Sequence, residues 1–129
     1  MSGAGRSEPC TILLVEDEPL VLMDLEIAAE DVGCDYLSAR RLAEALALAE
    51  SANVTTAVLD VNLGSGDTCL PVAAILRQRG IPFILHSGDL DRQDELVRTL
   101  GAALVAKPAS AREVIARAMD NRTPATITS

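Results

Sequence analysis

Four groups of polar residues follow apolar segments of this chain at points where they could do chemistry together. They are Glu16-Asp17-Glu18, Asp60, Ser87 and Lys107. Carboxylate oxygens are ligands that Mg²⁺ prefers, and an ammonium pairs with a carboxylate or a phosphate oxygen. A charged carboxylate inside an apolar site costs several kcal/mol unless it is paired or bound to a cation. The question is therefore whether the fold brings these groups together.

Five short apolar segments predict five β-strands. They cover residues 11–15, 34–39, 55–61, 81–87 and 102–106. The first, third and fourth are almost continuously apolar, which is typical of strands covered on both faces of a sheet. These segments alternate with stretches of helical periodicity, and repeated strand–helix units indicate a parallel sheet with helices on both faces. We predict a doubly wound α/β domain.

The helical stretches carry apolar residues at helical spacing together with start and stop signals. In the first, Pro19 suits an initial turn, and Gly33 follows one apolar face that consists of Leu22, Leu25, Ala29 and Val32. The second repeats the pattern with Leu42, Ala45, Leu46 and Ala49. The third is predicted from about Thr68 to Gly80, with Pro71 in its first turn. A charged fourth helix is predicted over 91–100, and Ser110-Ala111-Arg112-Glu113 has capping-box spacing for a fifth.

Parallel strands place their carboxyl ends at one edge of the sheet, which is where ligands bind in such folds. Glu16, Asp17 and Asp60 would meet there and could hold Mg²⁺. Lys107 could pair with a carboxylate when the site is empty and with a phosphate oxygen when it is filled. Each residue alone also fits an ordinary structural role, such as a helix start, a turn or a solvated surface charge. The site is favoured because four such roles would have to hold independently.

Length and composition narrow the class of protein. The chain has 129 residues, which suits one domain over 10–120 between flexible ends at 1–9 and 121–129. Its formal net charge is −8 with no basic cluster, which argues against a nucleic-acid surface. No signal peptide or membrane-spanning segment is visible, so a cytoplasmic protein is predicted. Cys10, Cys34 and Cys69 are accordingly expected to be three reduced thiols.

The sequence resembles the receiver domain of two-component response regulators. The resemblance spans roughly residues 10–120 and rests on "LLVEDEP", "VLDVNL", "HSG" and "AKP" in that order, each at a predicted strand terminus. It implies a flavodoxin-like five-stranded sheet with strand order 2-1-3-4-5. It also implies a phosphoacceptor signalling domain, not an enzyme in the usual sense. A cis Lys107–Pro108 bond is frequent in this family.

The resemblance also implies a role for each site residue. Asp60 would accept a phosphoryl group, and Ser87 and Lys107 would bind that group. Glu16, Asp17, Asp60 and the backbone carbonyl of Asn62 would bind Mg²⁺, for which Mn²⁺ could substitute. The donor would be a histidine kinase or a histidine phosphotransfer protein. A stand-alone domain would then signal through an unknown downstream protein or serve as a phosphate sink.

The chain departs from the family pattern near the fifth strand. Leu104 stands where an aromatic residue is usual, and Ala109 replaces the aromatic after the Lys-Pro pair. Signal propagation would therefore need another element. Asn62 and Asp89, each two residues beyond a site residue, are hypothesised to tune the lifetime of the acyl phosphate. His86 should alternate to the side opposite Ser87 and is expected to pack or lie at the rim.

Three other functions were weighed against the receiver. A phosphorylation-independent interaction domain with the same fold is the main alternative, and Leu104 gives it weight. An aspartyl-phosphate phosphohydrolase would carry a second Asp where this chain has Asn62, and a flavin-binding protein would not carry acidic residues after the first strand. Candidate partner contacts are the helix entry beside the site and a last-helix face that consists of Val114, Ile115, Ala118 and Met119. Some of these apolar positions must cover the sheet, so only part of that face is expected to be free.

Overall fold

Five strands and four helices make up the part of the chain that the computed structural model describes, residues 10–88 and 102–120. The strands are β1 (Thr11–Val15), β2 (Asp35–Ala39), β3 (Thr56–Asp60), β4 (Phe83–Ser87) and β5 (Ala103–Ala106). The helices are α1 (Pro19–Asp31), α2 (Leu42–Ser51), α3 (Leu70–Gln78) and α4 (Ala111–Asp120). The predicted helix over 91–100, Asp89 and both predicted flexible ends lie outside the described residues. Each of the five predicted strands is present, shortened by up to two residues at an end.

The strands form one parallel sheet in the order β2-β1-β3-β4-β5, which confirms the predicted strand order. Asp60 at the end of β3 lies opposite His86 of β4. Ser87 at the end of β4 lies opposite Ala106 of β5. Because all strands run the same way, their carboxyl ends share one edge of the sheet.

Helices cover both faces of the sheet. One core cluster joins β1, β3 and β4 to α2 and α3, and its helical members include Ala45, Ala49, Val72 and Leu76. The other joins the opposite face of these strands to α1 and α4. Successive strand residues point to opposite faces, so a strand between two helical layers needs apolar residues at every position. This is the physical reason for the continuous apolar runs.

Helix α1 ends earlier than its apolar pattern predicted. Leu22, Leu25 and Ala29 are buried, as predicted, but Val32 is 50% exposed. Val32 is the residue that follows the last helical position. Gly33 then turns the chain with a φ of +77°, a left-handed conformation that glycine adopts at no steric cost. The chain leaves the helix before Val32 can join the buried face, so its placement there was wrong.

The apolar face proposed on the last helix is largely inaccessible. Val114, Ile115 and Ala118 of α4 are fully buried against the sheet. Only Met119 is partly exposed, and its sulfur contacts the sulfurs of Cys10 and Cys34 at 3.4 and 3.5 Å. The three buried residues are therefore the part of the face that covers the sheet, and they are not available to a partner. The start of α4 follows the prediction, since the Ser110 hydroxyl accepts a hydrogen bond from the Glu113 amide.

Two of the three cysteines form a disulfide, so the expectation of three reduced thiols was wrong. Cys10 and Cys34 are bonded, with their Cα atoms 5.0 Å apart. Each comes directly before a strand, and β1 and β2 begin side by side, with Thr11 opposite Asp35. The two cysteines are therefore neighbours in space, although 24 positions separate them in sequence. Only the strand register reveals this proximity.

The third cysteine, Cys69, is predicted to be unreactive in the folded protein. It is fully buried, and burial followed by the nearby Asp60 charge raises its pKa to about 12. The reactive thiolate would then be about one part in ten thousand at pH 8. We expect no thiol to react with a disulfide reagent in the native chain and one to react after denaturation without reductant. Rapid reaction of the native chain would contradict both the burial and the disulfide.

Within the described ranges, every helix is too short or too polar to cross a bilayer.

Candidate functional site

The carboxyl-terminal edge of the sheet collects charged side chains from three strands. Glu16 directly follows β1, Asp60 is the last residue of β3, and Lys107 directly follows β5. Glu16 and Asp60 are 1% and 4% exposed, although both are acidic. The apolar strands carry these carboxylates to the rim, where they can meet other polar groups.

A single ammonium bridges the two buried carboxylates. Lys107 Nζ lies 3.4 Å from Oε1 of Glu16 and 3.4 Å from Oδ1 of Asp60. It also donates to Oε2 of Glu16 at 3.5 Å. That second oxygen accepts the Glu18 backbone amide at 3.3 Å. Lys107 thus pairs with carboxylates from two strands, which is the arrangement expected of the site without a bound phosphate.

The burial of these charges perturbs their ionisation. Burial, then the charge of Glu16, and the hydrogen bonds that a protonated Asp60 can share with Asp17 and Glu16 raise the pKa of Asp60 to about 8, although Lys107 opposes the shift. Burial acts to lower the pKa of Lys107, but the negative charges of Asp60 and Glu16 and the hydrogen bonds to them outweigh burial, so its pKa is raised. One ammonium does not fully compensate two close carboxylates. The site therefore has an excess of negative charge.

That excess fits a divalent cation. Glu16, Asp17 and Asp60 each offer a carboxylate oxygen, and these oxygens lie within 4.8 Å of one another. Oε1 of Glu16 has no hydrogen-bond partner among the described residues, although Lys107 lies beside it. Hard oxygen donors of this kind suit Mg²⁺ or Ca²⁺ better than a softer metal. The acidic cluster is therefore a possible metal site.

An open cleft of about 450 Å³ gives access to these groups. Its lining consists of Asp17, Glu18, Asp60, Asn62, Gly88 and Lys107. A Cβ at Gly88 would lie 3.6 Å from Cβ of Lys107, so glycine leaves the space beside the Lys107 stem open. A small anionic group could therefore approach Asp60 from solvent.

The loop after Asp60 is closed upon itself. Asn62 and Thr68 form an antiparallel bridge, and the Cys69 amide donates to the carbonyl of Val61 at 3.0 Å. The turn between them has positive φ at Gly64, Ser65 and Gly66. Because a Cβ at Gly64 would lie 3.5 Å from Oδ2 of Asp17, glycine there also leaves room for the acidic cluster. The backbone around Asn62 is consequently held by the loop's own hydrogen bonds.

Ser87 and His86 lie on opposite sides of β4. Ser87 is buried at the strand end, and its carbonyl accepts the Lys107 amide at 2.9 Å. His86 is 3% exposed, and its Nδ1 lies 4.0 Å from Oε1 of Glu16. Burial, followed by the charge of Lys107, lowers the pKa of His86 to about 4, so the ring is neutral near pH 7. The expected packing role of His86 left out this approach to Glu16, which depends on strand register.

Replacing Lys107 is predicted to destabilise the protein most at high pH. Lys107→Met leaves Glu16 and Asp60 facing each other without a cation, at a cost of about 1–2 kcal/mol near pH 9. Because the pKa of Asp60 is raised, lowering the pH protonates it and removes one of the two charges, so the cost should shrink near pH 6.

The measurement is urea unfolding of wild type and variant with a chelator present. Lys107→Arg keeps the charge and serves as the matched control, which should lose less stability. Equal stability of the wild type and Lys107→Met at both pH values would contradict the ion-pair assignment.

Comparison with known proteins shows which family this chain resembles. No protein-family model matches the chain. The phyllosphere-induced regulator PhyR of Methylorubrum extorquens is 34% identical over 114 residues, which cover 84% of this chain and 43% of PhyR. The solution structure of SdrG from Sphingomonas melonis is 35% identical, with a TM-score of 0.72 over 88% of this chain and 95% of that one. A CheY-like response regulator receiver domain from Methanospirillum hungatei has a TM-score of 0.76 at 22% identity, over 88% and 93% of the two chains.

The chain belongs to the receiver-domain family of response regulators. A receiver is a signalling domain and not a conventional enzyme. The chain spans less than half the length of PhyR, so what the receiver is joined to or acts upon does not follow from that relative.

Two family-based expectations concern the fifth strand of the receiver. The Lys107–Pro108 peptide bond is cis, as the resemblance suggested. Leu104, which stands in place of the usual aromatic, is partly buried against the core cluster that contains α2 and α3. A leucine packed there offers no aromatic ring to move toward the site. A change at Asp60 would therefore have to spread through another element.

Proposed function

We propose that this receiver accepts a phosphoryl group on Asp60 in a Mg²⁺-dependent reaction. The observation that carries the proposal is the bridge from Lys107 to Glu16 and Asp60, which brings one ammonium to two buried carboxylates. Of these groups, Asp60 and Lys107 line the open cleft. Each group is of the type that phosphoryl transfer requires, since that reaction depends on positioning and on compensation of negative charge.

In the proposed reaction a carboxylate oxygen of Asp60 attacks phosphorus. The bond between phosphorus and the donor breaks, and its electron pair leaves with the donor group. Lys107 exchanges a carboxylate for a phosphoryl oxygen, and the Ser87 hydroxyl donates a hydrogen bond to another. When bound by Glu16, Asp17, Asp60 and the Asn62 carbonyl, Mg²⁺ would offset the negative charge that accumulates on the transferring group.

The proposed donor is a histidine kinase or a histidine phosphotransfer protein in the cytoplasm. Such a partner has to cover the cleft, and α1 begins at its rim. Leu20, Met23 and Ile27 are 73%, 47% and 50% exposed and lie three and four residues apart, so they form one stripe on the helix surface. An apolar stripe beside the phosphoacceptor suits a helical partner that presents a phosphohistidine. This stripe supports the predicted contact at the helix entry.

The phosphorylated receiver would signal through protein contacts or drain phosphoryl groups from its donor. Stand-alone action, the downstream partner and the influence of Asn62 and Asp89 on acyl-phosphate lifetime stay predictions. Asn62 is exposed and lines the cleft, where its side chain could meet an attacking water.

The direct test is intact-mass spectrometry of the full chain after incubation with acetyl phosphate. With Mg²⁺ we expect a mass increase of one phosphoryl group, and with a chelator in place of Mg²⁺ we expect none. Absence of the increase with Mg²⁺, together with no measurable Mg²⁺ binding, would favour the phosphorylation-independent interaction domain. An increase of equal size in both samples would contradict the metal dependence.

A further inference from the structure

A buried histidine beside the acidic cluster has unused hydrogen-bonding capacity. His86 is 3% exposed, and neither of its ring nitrogens has a hydrogen-bond partner among the described residues. Its Nδ1 faces Oε1 of Glu16 at 4.0 Å, and that oxygen also has no hydrogen-bond partner in the described part of the chain. Two buried groups that could satisfy each other therefore stand about one ångström beyond hydrogen-bond reach.

The two groups are chemically complementary. A neutral imidazole has one N–H donor and one bare nitrogen. With the proton on Nδ1, the donor faces a carboxylate oxygen, and a hydrogen bond to a charged acceptor is among the stronger ones. With the proton on Nε2, a bare nitrogen would face the carboxylate instead. The charge of Glu16 thus favours the tautomer with Nδ1–H.

We propose that His86 is a positioning residue for Glu16. The Nδ1–H of His86 donates to Oε1 of Glu16 when Lys107 leaves that oxygen for a phosphoryl group. This inference rests on the proposed function for the moment at which Lys107 departs. In the structure Lys107 Nζ forms an ion pair with Oε1 at 3.4 Å, closer than Nδ1 of His86 at 4.0 Å. Once the ammonium turns away, Oε1 loses its nearest cation and the imidazole becomes its nearest donor. His86 then keeps the carboxylate aimed at the metal site.

A simple packing role gives a different expectation. His86 stands two residues after Ile84 on the strand face that α1 and α4 cover, where an apolar side chain would also fit. If His86 only filled space, leucine would serve as well or better, because it buries no polar atoms. If His86 positions Glu16, the donor matters and the apolar replacement fails. If His86 positions Glu16, replacement by leucine should therefore weaken metal binding without lowering the stability of the fold.

The first test uses the fact that His86 is the only histidine of the chain. In tag-free protein labelled with ¹⁵N-histidine, the two ring nitrogens give one unambiguous pair of NMR signals. We expect the Nδ1–H tautomer near pH 7. In Lys107→Met without any metal, we expect the NMR signal of the Nδ1 proton to shift and this proton to exchange more slowly with water. The Nε2–H tautomer, or an Nδ1 signal that Lys107→Met does not affect, would overturn the proposal.

The second test measures Mg²⁺ binding by titration calorimetry on full-length variants that also carry Lys107→Met, so that no ammonium lies beside Oε1 of Glu16. His86→Leu removes the donor and should weaken Mg²⁺ binding about tenfold or more, the usual range for groups that hydrogen-bond to metal ligands. His86→Asn carries an N–H donor at the same number of bonds from Cβ as Nδ1 and should recover most of that loss. Thermal unfolding should show His86→Leu to be at least as stable as His86→Asn.

The outcomes separate this inference from the function on which it rests. If adding His86→Leu to Lys107→Met leaves Mg²⁺ affinity unchanged, or if the Leu and Asn variants lose affinity equally, the donor is not used. If the wild type binds no Mg²⁺, the metal part of the proposed function fails, and the tautomer and the Lys107→Met response decide the role of His86 without metal.

Discussion

Asp60→Asn is expected to abolish phosphoryl incorporation from acetyl phosphate. The amide keeps the size of the side chain but is a poor nucleophile and cannot form an acyl phosphate in the same way. Incorporation should fall at least about a hundredfold, to the background of untreated protein. The measurement is the fraction of chains that gain one phosphoryl mass in the presence of Mg²⁺.

The loop after β3 offers a matched control. Asp67 is an exposed acid seven positions beyond Asp60, and Asp67→Asn makes the same chemical change away from the buried cluster. It should leave incorporation at the wild-type level. Modification of Asp60→Asn to the wild-type extent would mean that another residue is the acceptor, and equal losses in both variants would point to a general effect of charge.

Stability gives a second check that Asp60→Asn is folded. The raised pKa of Asp60 means that the folded protein binds this proton more tightly than the unfolded chain does, so stability from this group is present at low pH and is lost as pH rises toward about 8. The neutral amide avoids that loss. Without metal, Asp60→Asn should unfold at a higher temperature than wild type near pH 9, and the difference should be smallest at or below about pH 4, where the carboxyl is protonated in the unfolded chain as well.

Reduction of the Cys10–Cys34 disulfide is expected to lower the free energy of unfolding by about 3 kcal/mol. The bond closes a loop of 24 residues, and on the chain-entropy argument a loop of this length restricts the unfolded state by roughly that amount. The apparent melting temperature should fall on the order of 10 °C. Thermal unfolding with and without a phosphine reductant measures the difference.

The double variant Cys10→Ser/Cys34→Ser is the control for this effect. It should resemble the reduced wild type in stability and should not respond to reductant. If reductant leaves wild-type unfolding unchanged, the bond does not contribute as proposed. If reductant destabilises the double variant as well, the response comes from elsewhere in the protein.

The residues at the site could be predicted from sequence because each is identified by its own position at the end of a strand. Glu16, Asp60, Ser87 and Lys107 each fall where an apolar run stops, and parallel strands place those ends together. That reasoning needs the positions of the strands but not their exact register. The same holds for the core, since apolar runs between two helical layers reveal themselves without any knowledge of pairing.

What could not be predicted depends on register or on where a helix stops. The bond between Cys10 and Cys34 requires β1 and β2 to begin side by side, and the approach of His86 to Glu16 requires β1, β3 and β4 to align. Val32 has the sequence spacing of the buried helix face, but the helix ends at Asp31, just before the turn at Gly33. Periodicity reports the face of a regular element and becomes unreliable at its last residue.

The closed loop from Val61 to Cys69 has a mechanical consequence. Its first residue directly follows Asp60, and its last residue directly precedes α3. The Cys69 amide is bonded to the Val61 carbonyl, and Asn62 is bridged to Thr68, so these two ends move as a single piece. A displacement that begins at the acceptor carboxylate can therefore reach the first turn of α3 through these two backbone contacts, and the leucine at position 104 is not part of them.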